Sequence, residues 1–129
     1  MREIKFRAWD KKGKYMFETM VIFNPDHNPQ MGVCQIVSNG VPEVRFVNIN
    51  DFELMQFTGL KDKNGKEIYE GDIIDLNFET VHLRGKVIQE ESGDWLLYQD
   101  EQNFVGVHHN KNRIEIIGNI YENPELPNK

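Results

Sequence analysis

The segment "REIKFRAWD", residues 2–10, alternates without a break, with Ile4, Phe6 and Ala8 on one face and Lys5, Arg7 and Trp9 on the other. A period of two belongs to a strand, because successive side chains point to opposite sides of the pleat. A chain that repeats such runs between turn signals is confined to antiparallel sheets. The turn signals are present. "DKKG" reads as a tight turn and "KYMFETMVIF" as the return strand of a first hairpin. "NPDHNP" denies the backbone regular pairing. "GVCQIV" and "EVRFVNI" flank "SNGVP", where Asn39-Gly40 suits the positive φ values of a type I′ turn and marks a second hairpin.

Only "NDFELMQFTGL" invites a helix. Asp51 suits the N-cap, "FELMQF" lacks β-branched residues, and Thr58-Gly59 would stop the helix after one or two turns. Beyond Gly65 short strands return. "GDIIDLNF" places Ile74, Leu76 and Phe78 on one face, and "HLRGKVIQEE" offers Leu83, Val87 and Ile88 for burial. "SGD" turns into "WLLYQ", and "RIEIIGNIYE" is the last strand. Short strands with turns about every ten residues describe a small barrel. Gly71 before one strand and Gly85 within another permit the bends and close backbone approach that closure needs. The expected fold is mainly β. Antiparallel N-terminal hairpins (1–57) join through a short helical or turn segment to a small, half-open SH3-like β-barrel with a C-terminal arm (58–126), followed by a tail (127–129).

At 129 residues, 39% of them hydrophobic and 11% aromatic, the chain is long enough to bury a core unaided. Its single cysteine, Cys34, excludes an internal disulfide and suits a reducing compartment. The N-terminus is charged and alternating rather than apolar, and no run reaches the 18 or more apolar residues of a membrane span. A cytoplasmic protein with no membrane partner is expected. The net charge of −6 is unevenly spread. Residues 1–20 hold six cations against three anions, a net +3, so the rest carries −9. An acidic body disfavours nucleic acid, whose binding depends on neutralising phosphates, but the basic N-terminal ribbon is a local exception.

The chemical motifs divide into absences and candidates. "KNGKEIYEGD" is no phosphate loop, since Gly65 and Gly71 have the wrong spacing and a strand follows; Asn64-Gly65 reads as a hairpin turn. The carboxylates Asp62, Glu67, Glu70, Asp72 and Asp75 raise an acid–base pair. Strand alternation would set Glu70 and Asp72 on one side, about 7 Å apart, although a solvated acidic face explains them as well. The histidines His27, His82, His108 and His109 show no ligand spacing, and His108 and His109 on a strand would face opposite ways. Neither metal nor cofactor is expected. Cys34 reads as a small buried residue. Lys5, Arg7 and Trp9 form a cation–aromatic stripe suited to stacking a base or to anchoring a neighbouring subunit. "GNIYENPEL", with Tyr121, reads as a strand end and an arm that packs on its own barrel or on a neighbour.

Three segments, "MREIKFRAWD", "LMQFTGLKDKNGKEIYEGDII" and "IIGNIYENPEL", resemble the hallmark segments of the YopX protein family. They bracket Met1 to Leu126, while residues 11–52 and 79–112 carry little of the likeness. The resemblance implies a mainly β protein encoded by bacteriophages, prophages or related elements of low-GC Gram-positive bacteria and gut anaerobes, working in the host bacterial cell, and a homo-oligomer. It implies no activity, and no catalytic or binding residue is carried over. The expected function is that of a non-catalytic, oligomeric binding or accessory protein whose partner is a host or phage protein or a small ligand. The alternatives are a nucleic-acid-binding module using the basic ribbon, and a counter-defence protein that sequesters a small nucleotide. The candidate binding or interface residues are Lys5, Arg7, Trp9, Glu70, Asp72 and Tyr121.

Overall fold

A computed structural model describes residues 6–20, 31–38 and 41–126, with the backbone alone for 18–20, 31–38, 41–49 and 111. The described residues fall into two compact units, one up to Gln56 and one from Phe57 onward. Lys5, His27 and the Asn39-Gly40 turn lie outside the described residues.

In the first unit the alternating N-terminal run forms β1 (Phe6–Asp10). It pairs antiparallel on one side with β2 (Tyr15–Met20) and on the other with the start of β5 (Phe52–Lys61). The turn between β1 and β2 is set by Asp10, whose carboxylate accepts the N–H groups of Lys12 and Gly13 while its carbonyl accepts that of Lys14. An Asx-type turn of this kind is what "DKKG" encodes. The second hairpin, β3 (Met31–Ser38) with β4 (Val41–Asn48), pairs in continuous register from Met31 opposite Asn48 to Ser38 opposite Val41.

The anticipated helix is absent. One 3-10 turn, Ile49–Asp51, leads directly into β5, and "FELMQF" is strand. Its helix-compatible composition is overridden because Phe52 to Gln56 pair residue by residue with β1, whereas two isolated helical turns have almost no stability of their own. Thr58-Gly59 is a bulge rather than a stop. The register slips between Phe57 and Lys61, Gly59 sits at φ 85°, and the Thr58 hydroxyl donates to the Ile68 carbonyl at 2.7 Å.

The second unit is a curled half-barrel. β6 (Glu67–Tyr69) pairs with the end of β5, with the Phe57 and Tyr69 rings 5.4 Å apart. The five-stranded sheet runs β10–β9–β8–β7–β11, formed by β7 (Asp72–Phe78), β8 (Val81–Gln89), β9 (Trp95–Asp100), β10 (Asn103–Gly106) and β11 (Ile114–Asn119). Its concave side holds Ile68, Ile74, Leu76, Val87, Trp95, Leu97, Val107 and Ile114, with Leu60, Leu83, Val105 and Ile116 packed against them. Phe78, expected beside Ile74 and Leu76, leaves the core at the end of β7 and is 39% exposed. The last strand is also shorter than "RIEIIGNIYE" suggests. It stops at Asn119, whose side-chain oxygen accepts the Tyr121 and Glu122 N–H groups and so turns the chain. The arm then folds back on its own strand, placing Asn123 and Leu126 where a Cβ on Gly118 would stand.

Gly85 lies on β8 opposite Ile74, and a Cβ there would collide with the Tyr98 backbone on β9. Backbone cannot yield as a flexible side chain can. Gly85→Ala is expected to destabilise the protein by about 2–3 kcal/mol, read as a lower urea midpoint at unchanged slope; a midpoint equal to wild type would show that the two strands can separate freely.

Candidate functional site

The acidic central stretch uses its carboxylates to hold backbone. Asp62, 7% exposed, accepts the Asn64 and Lys66 N–H groups on Oδ1, each at 2.9 Å, and the Ile116 N–H on Oδ2 at 3.0 Å. The Lys63 N–H donates to the Ile114 carbonyl at 2.9 Å. The turn after β5 therefore lies along the outer edge of β11, with Asn64-Gly65 at its tip and Gly65 at φ 80°. Asp72, 2% exposed, accepts the Tyr69 N–H at 2.8 Å. Glu70 and Asp72 do not share a strand face. They flank Gly71, which at φ 87° turns the chain between β6 and β7, so the alternation that would align them is broken. Asp75 binds Arg84 through two parallel bonds of 2.6 and 2.9 Å, and this pairing raises the Arg84 pKa above its ordinary value.

The N-terminal stripe is likewise occupied. Trp9 is 7% exposed and Arg7 is half-buried, so β1 is covered on the face where Arg7 and Trp9 alternate with Ala8 as well as on the Ala8 face. Tyr121 is half-buried just past the end of β11. Cys34 sits opposite Arg45 in the second hairpin.

An open polar cleft lies elsewhere, on the segment that carries the adjacent histidines. His108–Arg113 forms a 3-10 turn between β10 and β11 and packs against β7 and β10. His108 and His109 are on a helical turn rather than a strand, so their rings do not diverge; they stand edge to face, 5.4 Å between centroids. Asn110 anchors the turn by donating its N–H to the Val107 carbonyl and its side-chain amide to that of Gly106. Arg113 places its guanidinium carbon 3.5 Å from the centre of the Phe78 ring. Together His108, His109, Asn110, Asn112 and Arg113 line a cleft of about 150 Å³ with no carboxylate among them. The signal in the sequence was "HHNKNR" itself, six polar residues without an acid in a chain of net charge −6. Among the described residues no group of three or more His, Cys, Asp and Glu side chains is placed to hold a metal ion. No helix among them is long and apolar enough to cross a membrane.

β10, against which this turn rests, is held by Asp100. Its carboxylate accepts the Gln102 N–H at 2.9 Å and the Asn103 side-chain amide, which together keep its pKa below the ordinary 3.8.

A matching protein-family model, described as YopX protein, spans residues 5–127. The crystal structure of protein EF1440 from Enterococcus faecalis resembles the chain with a TM-score of 0.68 and 28% identity, over 98% of this chain and 99% of that one. The crystal structure of protein yopX from Bacillus subtilis matches with a TM-score of 0.60 and 19% identity, over 98% of both chains, which is a likeness of fold. No curated protein matches the chain significantly.

Two outcomes test this description. Asp62→Ala leaves three part-buried N–H groups without their acceptor and is expected to cost about 2–3 kcal/mol in chemical denaturation, against near-zero for Lys63→Ala on the same turn. A depressed carboxyl pKa contributes stability that is complete above the ordinary value and lost as pH falls through the folded-state value. Below pH 3.8 the Gln102 amide is therefore expected to lose hydrogen-exchange protection, and Asp100→Asn to flatten that acid limb.

Proposed function

The chain belongs to the YopX protein family, and on that footing we propose that it is a non-catalytic binding protein, holding a small ligand at the His108–Arg113 turn and acting as a homo-oligomer. One observation carries the reading: polar groups divide by task. Asp62 and Asp72, the two buried acids, and half-buried Asp75 are each committed to a backbone N–H or to Arg84, and half-buried Asp10, Asp51 and Glu53 to backbone N–H groups or lysines. The side chains left open at the cleft are amides, imidazoles and a guanidinium, which suit recognition.

Self-association draws support from the exposed apolar groups. In the first unit Tyr15 is 60% exposed and Leu54 45%, with Tyr15, Phe17 and Phe52 in ring-to-ring sequence at 5.0 and 5.9 Å. In the second, Val81 and Phe104 are 46% and 50% exposed. Aromatic surface of this kind favours protein contacts over open solvent. We read the setting as a bacteriophage or prophage, the location as the bacterial cytoplasm, and the half-barrel as SH3-like. A counter-defence role, removing a small signal from solution, is the form of this reading with the most specific consequence. The nucleic-acid reading is weaker, since Trp9 has no open ring face to stack a base.

Sizing chromatography with light scattering is expected to return a mass above the 15.2 kDa chain at micromolar concentration. Native mass spectrometry of protein taken from its own host is expected to show a small retained adduct. A monomer with no adduct, and with enzymatic turnover in a substrate screen, would refute the proposal.

A further inference from the structure

We propose that the cleft at the His108–Arg113 turn is an oxyanion site that takes the phosphate group of a small molecule. The inference rests on the reading of this turn as the ligand-binding end and names the ligand's chemistry.

Arg113 is the first part of the case. Lys11, Lys12, Lys63 and Arg84 each meet a carboxylate, from Glu53, Asp51, Glu115 and Asp75 respectively. Among the described residues Arg113 makes no ion pair; it meets the Phe78 ring instead. Stacking covers one face of the guanidinium and leaves its N–H edges in the plane, directed sideways. Such an edge matches two oxygens of a phosphate and offers nothing to a cation. Lys14, Lys61, Lys66 and Lys86 also stand without a carboxylate among the described residues, but on exposed, flexible stems; Arg113 differs in being held against a ring at one edge of a cleft.

The remaining lining agrees with it. Asn110 is fixed by its bond to the Gly106 carbonyl, which commits one amide hydrogen and leaves the other. Asn112 adds a second amide, and the two imidazoles, in edge-to-face contact, add ring N–H donors. No acid lines the cleft to repel an anion. Its volume of about 150 Å³ is near that of a cavity that admits one benzene-sized group. That accommodates a phosphate and the first atoms attached to it. A polymer backbone would need a continuous basic track, whereas Glu79 and Glu101 are exposed in the turns that end β7 and precede β10.

The test uses the full chain at constant ionic strength, with inorganic phosphate, phenyl phosphate, phenol and a short oligothymidylate as probes. Amide NMR shifts are expected at residues 106–113 and Phe78 with both phosphates, tighter for phenyl phosphate, and none with phenol. Arg113→Gln is expected to weaken phenyl phosphate about tenfold or more, and Arg113→Lys by less. Lys63→Gln, which removes the same charge elsewhere, is expected to change nothing. Far-UV circular dichroism establishes that each variant is folded, and Arg113→Lys serves if Arg113→Gln is not. The inference is overturned if neither phosphate shifts these residues, if Lys63→Gln weakens binding as much as Arg113→Gln, or if oligothymidylate binds in preference with a steep salt dependence. Should the phosphates fail while a neutral adduct retained from the host shifts the same residues, the oxyanion inference falls and the binding reading stands.

Discussion

One carboxylate closes the half-barrel. Asp62 accepts two N–H groups of its own turn and a third from Ile116 on the outer edge of β11. An edge strand with unpaired N–H and C=O groups is a template for pairing with another chain. Here that edge is capped by a turn, with the Lys63 N–H to the Ile114 carbonyl completing the cover. A side-chain amide in place of Asp62 would present a donor to one of these N–H groups. Ser or Thr would lack the second oxygen. The acidic stretch is thus a latch built from one residue type that has two acceptors and no donor.

The same residue shows how far the sequence could be read. Asn64-Gly65 as a turn and Gly71 as a bend were legible, because positive φ is a local property with few solutions. The partner 54 residues away was not, because nothing local distinguishes a carboxylate that caps a distant strand from one in water. "FELMQF" failed for the same reason: its conformation is decided by β1 and not by its own propensity. Alternation set Arg7 and Trp9 on one face, open to stacking a base or to packing on a neighbour, but could not report that Trp9 is buried and Arg7 half-buried. β10, four residues long, was too short to show a period at all.

The candidate site is hidden in the sequence for a related reason. Histidines at adjacent positions diverge on a strand, and nothing local in the sequence marks His108 and His109 as lying on a 3-10 turn instead. The 3-10 turn that brings the rings together is anchored from both sides, by Asn110 on Gly106 and by Arg113 on Phe78. Neither anchor is visible as a spacing motif. What was visible, a basic and amide-rich run in an acidic chain, carries meaning only once the fold shows that Phe78 stands beside it. The family relationship, by contrast, was legible from the start, since the segments that carry it contain the turns and the latch.

The link between Asp62 and Ile116 also has a kinetic side. β7, β8 and β9 form from consecutive hairpins, so their contacts are local and inexpensive to assemble. The latch joins residues 54 apart and must wait until that ladder has brought β11 into place. An interaction made late in folding is absent from the transition state, and it acts on the rate of opening rather than the rate of closing. On this ordering, the Asp62–Ile116 bond is expected to bear on how long the folded half-barrel survives before it opens more than on how quickly it is made.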